Sequence, residues 1–287
     1  ASRALVFDAH GALVAKGLTD VHVSQPQADW VEQDPEELVA SVRAAINDAL
    51  AALGARASEL AAAGLATQRS SIVCWDRQTG AALSPVISWQ DRRAHAWLGQ
   101  FTPRAEEIHR LTGLMLSAHY GASKLRWCLD HLPAVKTAQA QGRLAMGPLA
   151  SFLLFRLLRE RPLFADPANA ARTLLWNLAA RDWDPTLLAL FGIPQEALPR
   201  CVPTRHAFGT LALDGRTIPL TIATGDQSAA LFAYGEPRPD SAYINIGTGA
   251  FVQRALGHHP GHHPRLLTGV VRQDGAELTY VLEGTVN

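Results

Sequence analysis

Asp226 is the residue with the clearest opening for acid–base chemistry in this sequence. It follows the apolar run Thr217–Ala223, which reads as a strand, and precedes a helical segment, Ser228–Tyr234. In open α/β sheets the carboxyl ends of strands are where ligands bind. A carboxylate placed there can take the proton of a substrate hydroxyl, with Gln227 donating a hydrogen bond beside it. The same Asp could instead cap the helix that follows, a common use of this residue type. Local sequence leaves both roles open.

Three other groupings could do chemistry. Gly247-Thr248-Gly249 joins two predicted strands, Ser241–Ile246 and Ala250–Ala255. It could bring backbone N–H groups and a hydroxyl against phosphate oxygens, or serve as an ordinary hairpin turn. Gln68-Arg69 at the end of one strand and Trp89-Gln90-Asp91-Arg92-Arg93 at the end of another supply planar donors, an aromatic wall and a carboxylate. That set suits a small polyhydroxylated ligand. Alternatively, Trp89 is core and the charges are a solvated helix start. Finally, His258-His259-Pro260-Gly261-His262-His263 is dense in imidazole but has no carboxylate or Cys nearby, so a surface loop is favoured over a metal site.

The elements that must position these residues alternate between strand and helix. Arg3–Phe7 and Ala12–Ala15 read as a hairpin around Asp8-Ala9-His10-Gly11. Asp34-Pro35-Glu36-Glu37 starts a helix running to about Leu53, with Asp34 as N-cap and Glu37 closing a capping box. Gly64–Thr67, Ile72–Trp75 and Val86–Trp89 read as short strands. Ser123–His131, Pro148–Arg159 and Pro185–Phe191 read as helices, and Leu278–Glu283 as the last strand. This is an α/β protein with antiparallel hairpins.

Composition narrows the class. Lys+Arg and Asp+Glu balance at 26 each, so no net field draws nucleic acid or an anionic membrane. No apolar run is expected to approach the roughly 18 residues of a membrane helix, because Arg156 interrupts Leu149–Leu158. Cys74, Cys128 and Cys201 lie too far apart for a disulfide framework or a metal spacing, which suits a reducing cytoplasm. A length of 287 residues suits about two domains.

The order of motifs is more specific than any one of them. Trp30-Val31-Glu32-Gln33-Asp34-Pro35-Glu36-Glu37, Thr67-Gln68-Arg69, Trp75-Asp76 and Ile87-Ser88-Trp89-Gln90-Asp91-Arg92-Arg93 come first. Thr112-Gly113-Leu114, Ser123-Lys124-Leu125-Arg126-Trp127, Ala168-Asn169-Ala170-Ala171-Arg172-Thr173, Asp182-Trp183-Asp184 and Gly192-Ile193-Pro194 follow. Gly225-Asp226-Gln227, Gly247-Thr248-Gly249 and Glu283-Gly284-Thr285 close the series. The whole resembles the FGGY family of carbohydrate kinases, glycerol and xylulose kinases among them.

The resemblance implies an actin-like ATPase fold of ribonuclease-H type. Residues 1–235 would form the N-terminal, substrate-binding domain, and 236–287 the start of the C-terminal, ATP-binding domain. It implies ATP and Mg²⁺ as cofactors and transfer of the γ-phosphate to a hydroxyl of a sugar, polyol or glycerol. Asp226 would be the general base. Gln68, Arg69, Ser70, Trp89, Gln90, His119, Gln227 and Phe251 would line the substrate pocket, and Gly247, Thr248 and Gly249 would approach the ATP phosphates. No metal ligand is assigned. Ser70 and His119 stand where glycerol kinases carry Glu and Tyr, which points to an acceptor other than glycerol. The resemblance further implies a phosphate loop ahead of Ala1 and most of the second domain after Asn287. The expected partner is a small sugar or polyol, with no nucleic acid or membrane and with a homodimer as an open assembly. An actin-like nucleotide-binding regulator and a non-catalytic sugar-binding module are the alternatives.

Overall fold

The computed structural model describes residues 1–213, 216–246 and 250–286. The chain opens with an antiparallel hairpin, β1 (Ser2–Phe7) and β2 (Leu13–Thr19). Its turn is held by Asp8, whose Oδ1 accepts the backbone N–H groups of His10 and Ala12. Helix α1 (Pro35–Leu53) follows. Asp34 caps it as expected, accepting from Glu36 and Glu37 at 2.7 and 3.0 Å. The capping box does not close, because Glu37 Oε1 accepts the N–H of His22 instead and ties the incoming loop to the helix.

Two sheets carry the centre of the molecule. In the first, β3 (Ala63–Thr67) runs parallel to β7 (Arg216–Gly225), which pairs antiparallel with β6 (Arg205–Leu213). In the second, β4 (Ile72–Asp76) pairs antiparallel with β5 (Leu144–Pro148) and with the two-residue strand Val86–Ile87, itself paired to Glu32–Gln33. Every residue of β4 and β5 is buried. Ile72 and Cys74 face one hydrophobic cluster with α2 (Gly121–His131), through Leu125, Cys128 and Leu129. Val73 and Trp75 face a second cluster with α3 (Leu149–Leu157), through Phe152 and Phe155. A strand covered on both faces must be apolar at every position, which is why Ile-Val-Cys-Trp shows no alternation.

Past Gly225, α4 (Asp226–Ala230) and a 3₁₀ turn (Leu231–Tyr234) lead to an antiparallel sheet. Its strands are β8 (Ala242–Ile246), β9 (Ala250–Gly257), β10 (Leu267–Asp274) and β11 (Glu277–Val286), in spatial order β8-β9-β11-β10. This sheet is docked on the earlier elements. Val270, Leu278 and Tyr280 join the cluster of Ile72 and Leu114. Tyr280 Oη donates to the Leu178 carbonyl at 2.8 Å, and Ser228 Oγ donates to Val270 O at 2.8 Å. Gly113 explains part of its own motif. With φ +73° and a hypothetical Cβ only 2.5 Å from Thr268 O, it lets β10 approach closely there.

One expectation changes. Helix α1 with its following turn, Pro35–Glu59, is long and apolar enough to cross a membrane by length and composition. Alanine supplies that hydropathy without a long aliphatic run. In the fold the helix lies against β1, β2 and α3, burying Leu38, Val39, Ala45 and Ala49. The opening hairpin forms as expected, and among the described residues β1 pairs with β2 alone; a groove of about 890 Å³ is lined by β1 on one side and β3 on the other.

Trp75, fully buried and packed edge-on to Phe152 at 5.7 Å, anchors the α3 face. Trp75→Ala should lower unfolding free energy by about 3–5 kcal/mol in a urea melt, the usual cost of truncating a large core aromatic. A loss below about 1 kcal/mol, as at a typical surface site, would show that this face is not packed as described.

Candidate active site

The parallel pairing of β3 and β7 aligns Thr67 with Gly225. Both strands therefore end at the same level, and the residues just past their carboxyl ends, Gln68-Arg69 and Asp226-Gln227, become neighbours. Gly225 is needed for space rather than for its backbone angle. A Cβ there would lie 2.5 Å from both Cγ and Cδ of Arg69, whose aliphatic stem runs across it.

Arg69 is buried and ends in an ion pair with Glu283 on β11, with Nη1 donating to Oε1 at 2.9 Å. Arg172, in the loop after Pro167–Ala170, holds the other oxygen through Nη2 at 3.1 Å. Gln253, directly opposite Glu283 across the β9–β11 ladder, donates to Oε1 at 2.9 Å. Burial pushes the Glu283 carboxyl up, but Arg172 and Arg69, with the hydrogen bonds from Arg69 and Gln253, hold it at about 2. The bridge is therefore ionised at any physiological pH.

Asp226 sits at the first turn of α4 with its side chain open to solvent. The helix-cap alternative finds no support: the N-cap is Gly225, and Asp226 Oδ1 accepts only the N–H of the adjacent Gln227, at 2.7 Å. Burial of the surroundings raises its pKa above the ordinary carboxylate value. Arg69, the Gln227 N–H and Arg172 pull it down, and Glu283 pushes it up. A raised pKa makes a carboxylate a better proton acceptor.

The turn joining β3 to β4 forms the next wall. Ser70 adopts φ +65°, a left-handed conformation unusual for a residue with a side chain, and its Oγ is buried without a partner. Lys124 on α2, fully buried, holds this turn by donating to Ser70 O at 3.1 Å and to His119 O at 2.7 Å. Its ammonium pKa is driven well below the usual value by burial. Ser71 Oγ accepts the Trp89 N–H at 3.0 Å, which sets Trp89 at the rim, 37% exposed rather than core. The Trp89 and His119 rings lie 5.7 Å apart, and His119 meets Tyr120 edge-on at 5.0 Å. Burial, then the charges of Arg172, Lys124, Arg92 and Arg69, push the His119 imidazole down to about 2. It is a neutral ring.

These contacts tie the segments of Ser70, Trp89 and His119 together, and the strand pairing brings Asp226 and Gln227 beside Arg69. Gln68 is turned aside, donating to Gln33 Oε1 at 2.6 Å. Gln90 is exposed with no side-chain hydrogen bond among the described residues. Asp91 is fully buried and structural, accepting from Val31 N and pairing with Arg93. Phe251, 38% exposed, shares a face of β9 with Gln253 by the two-residue period. Gly247, Thr248 and Gly249 lie outside the described residues. The four-histidine loop is exposed, and among the described residues no three His, Cys, Asp or Glu side chains gather for a metal. Arg172, Gln253, Glu283 and Lys124 received no role from the sequence, although three of them fall within its motifs. Their signal was a charged residue inside an otherwise apolar or small-residue stretch.

The depressed His119 value carries a stability consequence. The folded state excludes a proton that the unfolded imidazole, near 6.5, accepts, so this contribution is full above about pH 6.5 and drains as pH falls toward 2. Unfolding free energies measured at stepped pH should fall below pH 6.5, this one group contributing up to about 1.4 kcal/mol per unit. His119→Gln should be visibly flatter between pH 6.5 and 4.5. Parallel curves for the two proteins would disprove the burial of a neutral ring.

The model of the N-terminal domain of the FGGY family of carbohydrate kinases matches residues 1–233. A glycerol kinase of Alkalilimnicola ehrlichii is 38% identical over 99% of this chain, and glycerol kinase 1 of Pseudomonas aeruginosa is 37% identical over the same share. The chain spans about 59% of the length of each of these relatives. Among solved structures, the Plasmodium falciparum glycerol kinase with ADP superimposes with a TM-score of 0.91 at 24% identity. It is covered over 58% of its length by 99% of this chain. The xylulose kinase of Rhodospirillum rubrum gives 0.86 at 23%, with the same coverage. The architecture is the actin-like α/β fold of these kinases. With two relatives more than a third identical along its length and a family model matched to its first 233 residues, the chain belongs to the FGGY family of carbohydrate kinases.

Proposed function

We propose that the protein transfers the γ-phosphate of ATP to a hydroxyl of a sugar, polyol or glycerol-like acceptor. The observation that carries this reading is the alignment of Thr67 with Gly225, which sets Asp226 and Arg69 at the carboxyl ends of two parallel strands in a chain of this family. The acceptor oxygen attacks the γ-phosphorus, the bond to the β–γ bridging oxygen breaks, ADP leaves, and the acceptor's proton passes to the Asp226 carboxylate. Such transfers need alignment and charge stabilisation more than covalent participation by the protein. Arg69, Gln227 and the neutral His119 orient hydroxyls, and Trp89 and Phe251 offer apolar surface to the carbon skeleton.

The nucleotide reading is supported by the family and by the ADP in the Plasmodium falciparum neighbour. Gly247, Thr248 and Gly249 are the proposed phosphate contacts. Mg²⁺, where bound, would neutralise charge on the transferring phosphates. We assign residues 1–235 to substrate binding and 236–287 to the start of the ATP-binding domain, a division supported by the family match to 1–233. Three free thiols suit the reducing cytoplasm.

The acceptor is proposed to be a polyol or sugar other than glycerol. Ser70 places a hydroxyl, and a buried one, where a carboxylate would give a charge-assisted hydrogen bond, a difference of about 1.5–3 kcal/mol. In an ATP-consumption assay of the full-length gene product against polyols, ketoses and glycerol, glycerol should not give the highest kcat/KM. If it does, the specificity assignment is wrong.

Asp226→Asn should lower turnover of the best acceptor by about 10²–10⁴-fold, the usual loss for a general base. Near-wild-type turnover would refute its role. Acceptor binding by the wild type without ATP consumption would favour the sugar-binding module.

A further inference from the structure

A buried charge cluster, Glu283 with Arg69 and Arg172, adjoins the proposed acceptor pocket through Arg69, and the transfer chemistry outlined above does not use Glu283. Glu283, 3% exposed, receives Arg69 on both oxygens, at 2.9 Å on Oε1 and 3.5 Å on Oε2, with Arg172 also on Oε2 and Gln253 on Oε1 across the β9–β11 ladder. The contributing residues come from the turn after β3, the loop after Pro167–Ala170, β9 and β11. Arg69 has a second constraint, because its stem lies where a Cβ of residue 225 would be. With stem and head both fixed, its guanidinium has one orientation beside Asp226. A planar guanidinium bound to a carboxylate keeps its direction far better than one hydrogen-bonded to water.

We infer that Glu283 is a positioning residue for the transfer reaction: through Arg69 it fixes where the acceptor sits against Asp226, and with Arg172 it sets the charge that Asp226 faces. This rests on the kinase reading. The charged groups facing Asp226 are Arg69, Arg172 and Glu283. Those facing Glu283 are Arg69 and Arg172. With Glu283 in place the three carry one net positive charge toward Asp226; without it they carry two. Losing Glu283 should therefore do two separable things. Arg69 loses its anchor, so the acceptor is misplaced. Asp226 faces more positive charge, so it binds a proton less readily and becomes a weaker base.

The test is Glu283→Gln in the full-length gene product, with Glu283→Asp as a charge-retaining variant. Glu277→Gln, an exposed position on the same strand, is the control. For Glu283→Gln, acceptor kcat/KM should fall by about 10²-fold, the scale expected when a catalytic group is misplaced by about an ångström. The KM for ATP should stay unchanged, and the acid limb of the pH–rate profile should move to lower pH. Glu283→Asp should restore the limb but recover only part of kcat/KM. A merely structural Glu283 would lower the melting temperature and leave the limb where it was, which overturns the inference.

A readout independent of turnover separates this inference from the kinase reading. Phenylglyoxal labelling of Arg69 and Arg172, followed by peptide mass spectrometry, should accelerate several-fold in Glu283→Gln and stay at the wild-type rate in Glu277→Gln. Accelerated labelling in a protein that phosphorylates no acceptor would leave the bridge standing and reject the kinase reading. Unchanged labelling and unchanged kinetics in Glu283→Gln would reject the bridge. If Glu283→Gln fails to fold, the comparison passes to Glu283→Asp. There, wild-type kcat/KM with wild-type labelling would overturn the inference.

Discussion

The pairing of β3 with β7 is the constraint on which the rest of the molecule depends. Two strands some 150 positions apart in sequence run parallel and finish level, Thr67 beside Gly225. A slip of one residue would move Asp226 out of level with Arg69. The register is held by the body on either side. Leu220 and Ala223 pack into the same cluster as Val73, Trp75 and Phe152. The hydrophobic core thus acts as the ruler for the spacing of Arg69 and Asp226.

Around that register the protein has buried charge on a scale that requires explanation. Removing an ionised group from water costs several kcal/mol unless partners and hydrogen bonds replace the solvent. The arrangement here meets that condition by sharing. One carboxylate serves two guanidiniums, a carboxamide completes it, and Lys124 donates to two backbone carbonyls. The cost is not fully recovered. Among the described residues Nε and Nη1 of Arg172 have no hydrogen-bond partner, and Ser70 sits in a left-handed conformation. Backbone strain of that kind costs about 1–3 kcal/mol and persists where surrounding structure over-determines it. Lys124, gripping both Ser70 and His119, supplies that over-determination.

Much of this was legible in the sequence, for identifiable reasons. β3, β7, the opening hairpin and α1 follow from apolar runs bounded by turn formers and a capped Pro. The motif order named the family. The strands β5, β6 and β10 were not seen, because Gly147-Pro148, Gly209 and the charged end of Arg272-Gln273-Asp274 interrupt their apolar patterns. The capping box misled because Glu37 found a better donor in His22, from a loop no local window includes. Arg172 and Glu283 were visible only as members of motifs. A charged residue reads as solvated until its partner is known, and these partners are brought together by tertiary structure alone.

The distance between those partners also bears on how the protein is made. Arg69 and Glu283 are 214 positions apart, so Arg69 is synthesised and packed into its surroundings long before its counter-ion exists. At typical elongation rates of about 5–20 residues per second, that interval is roughly 10–40 s. Throughout it the nascent chain holds β3 with an unneutralised guanidinium at its tip. The strands that supply Glu283 therefore join only after β3 and β7 have been made, and the surroundings of Asp226 cannot acquire their final charge before they arrive.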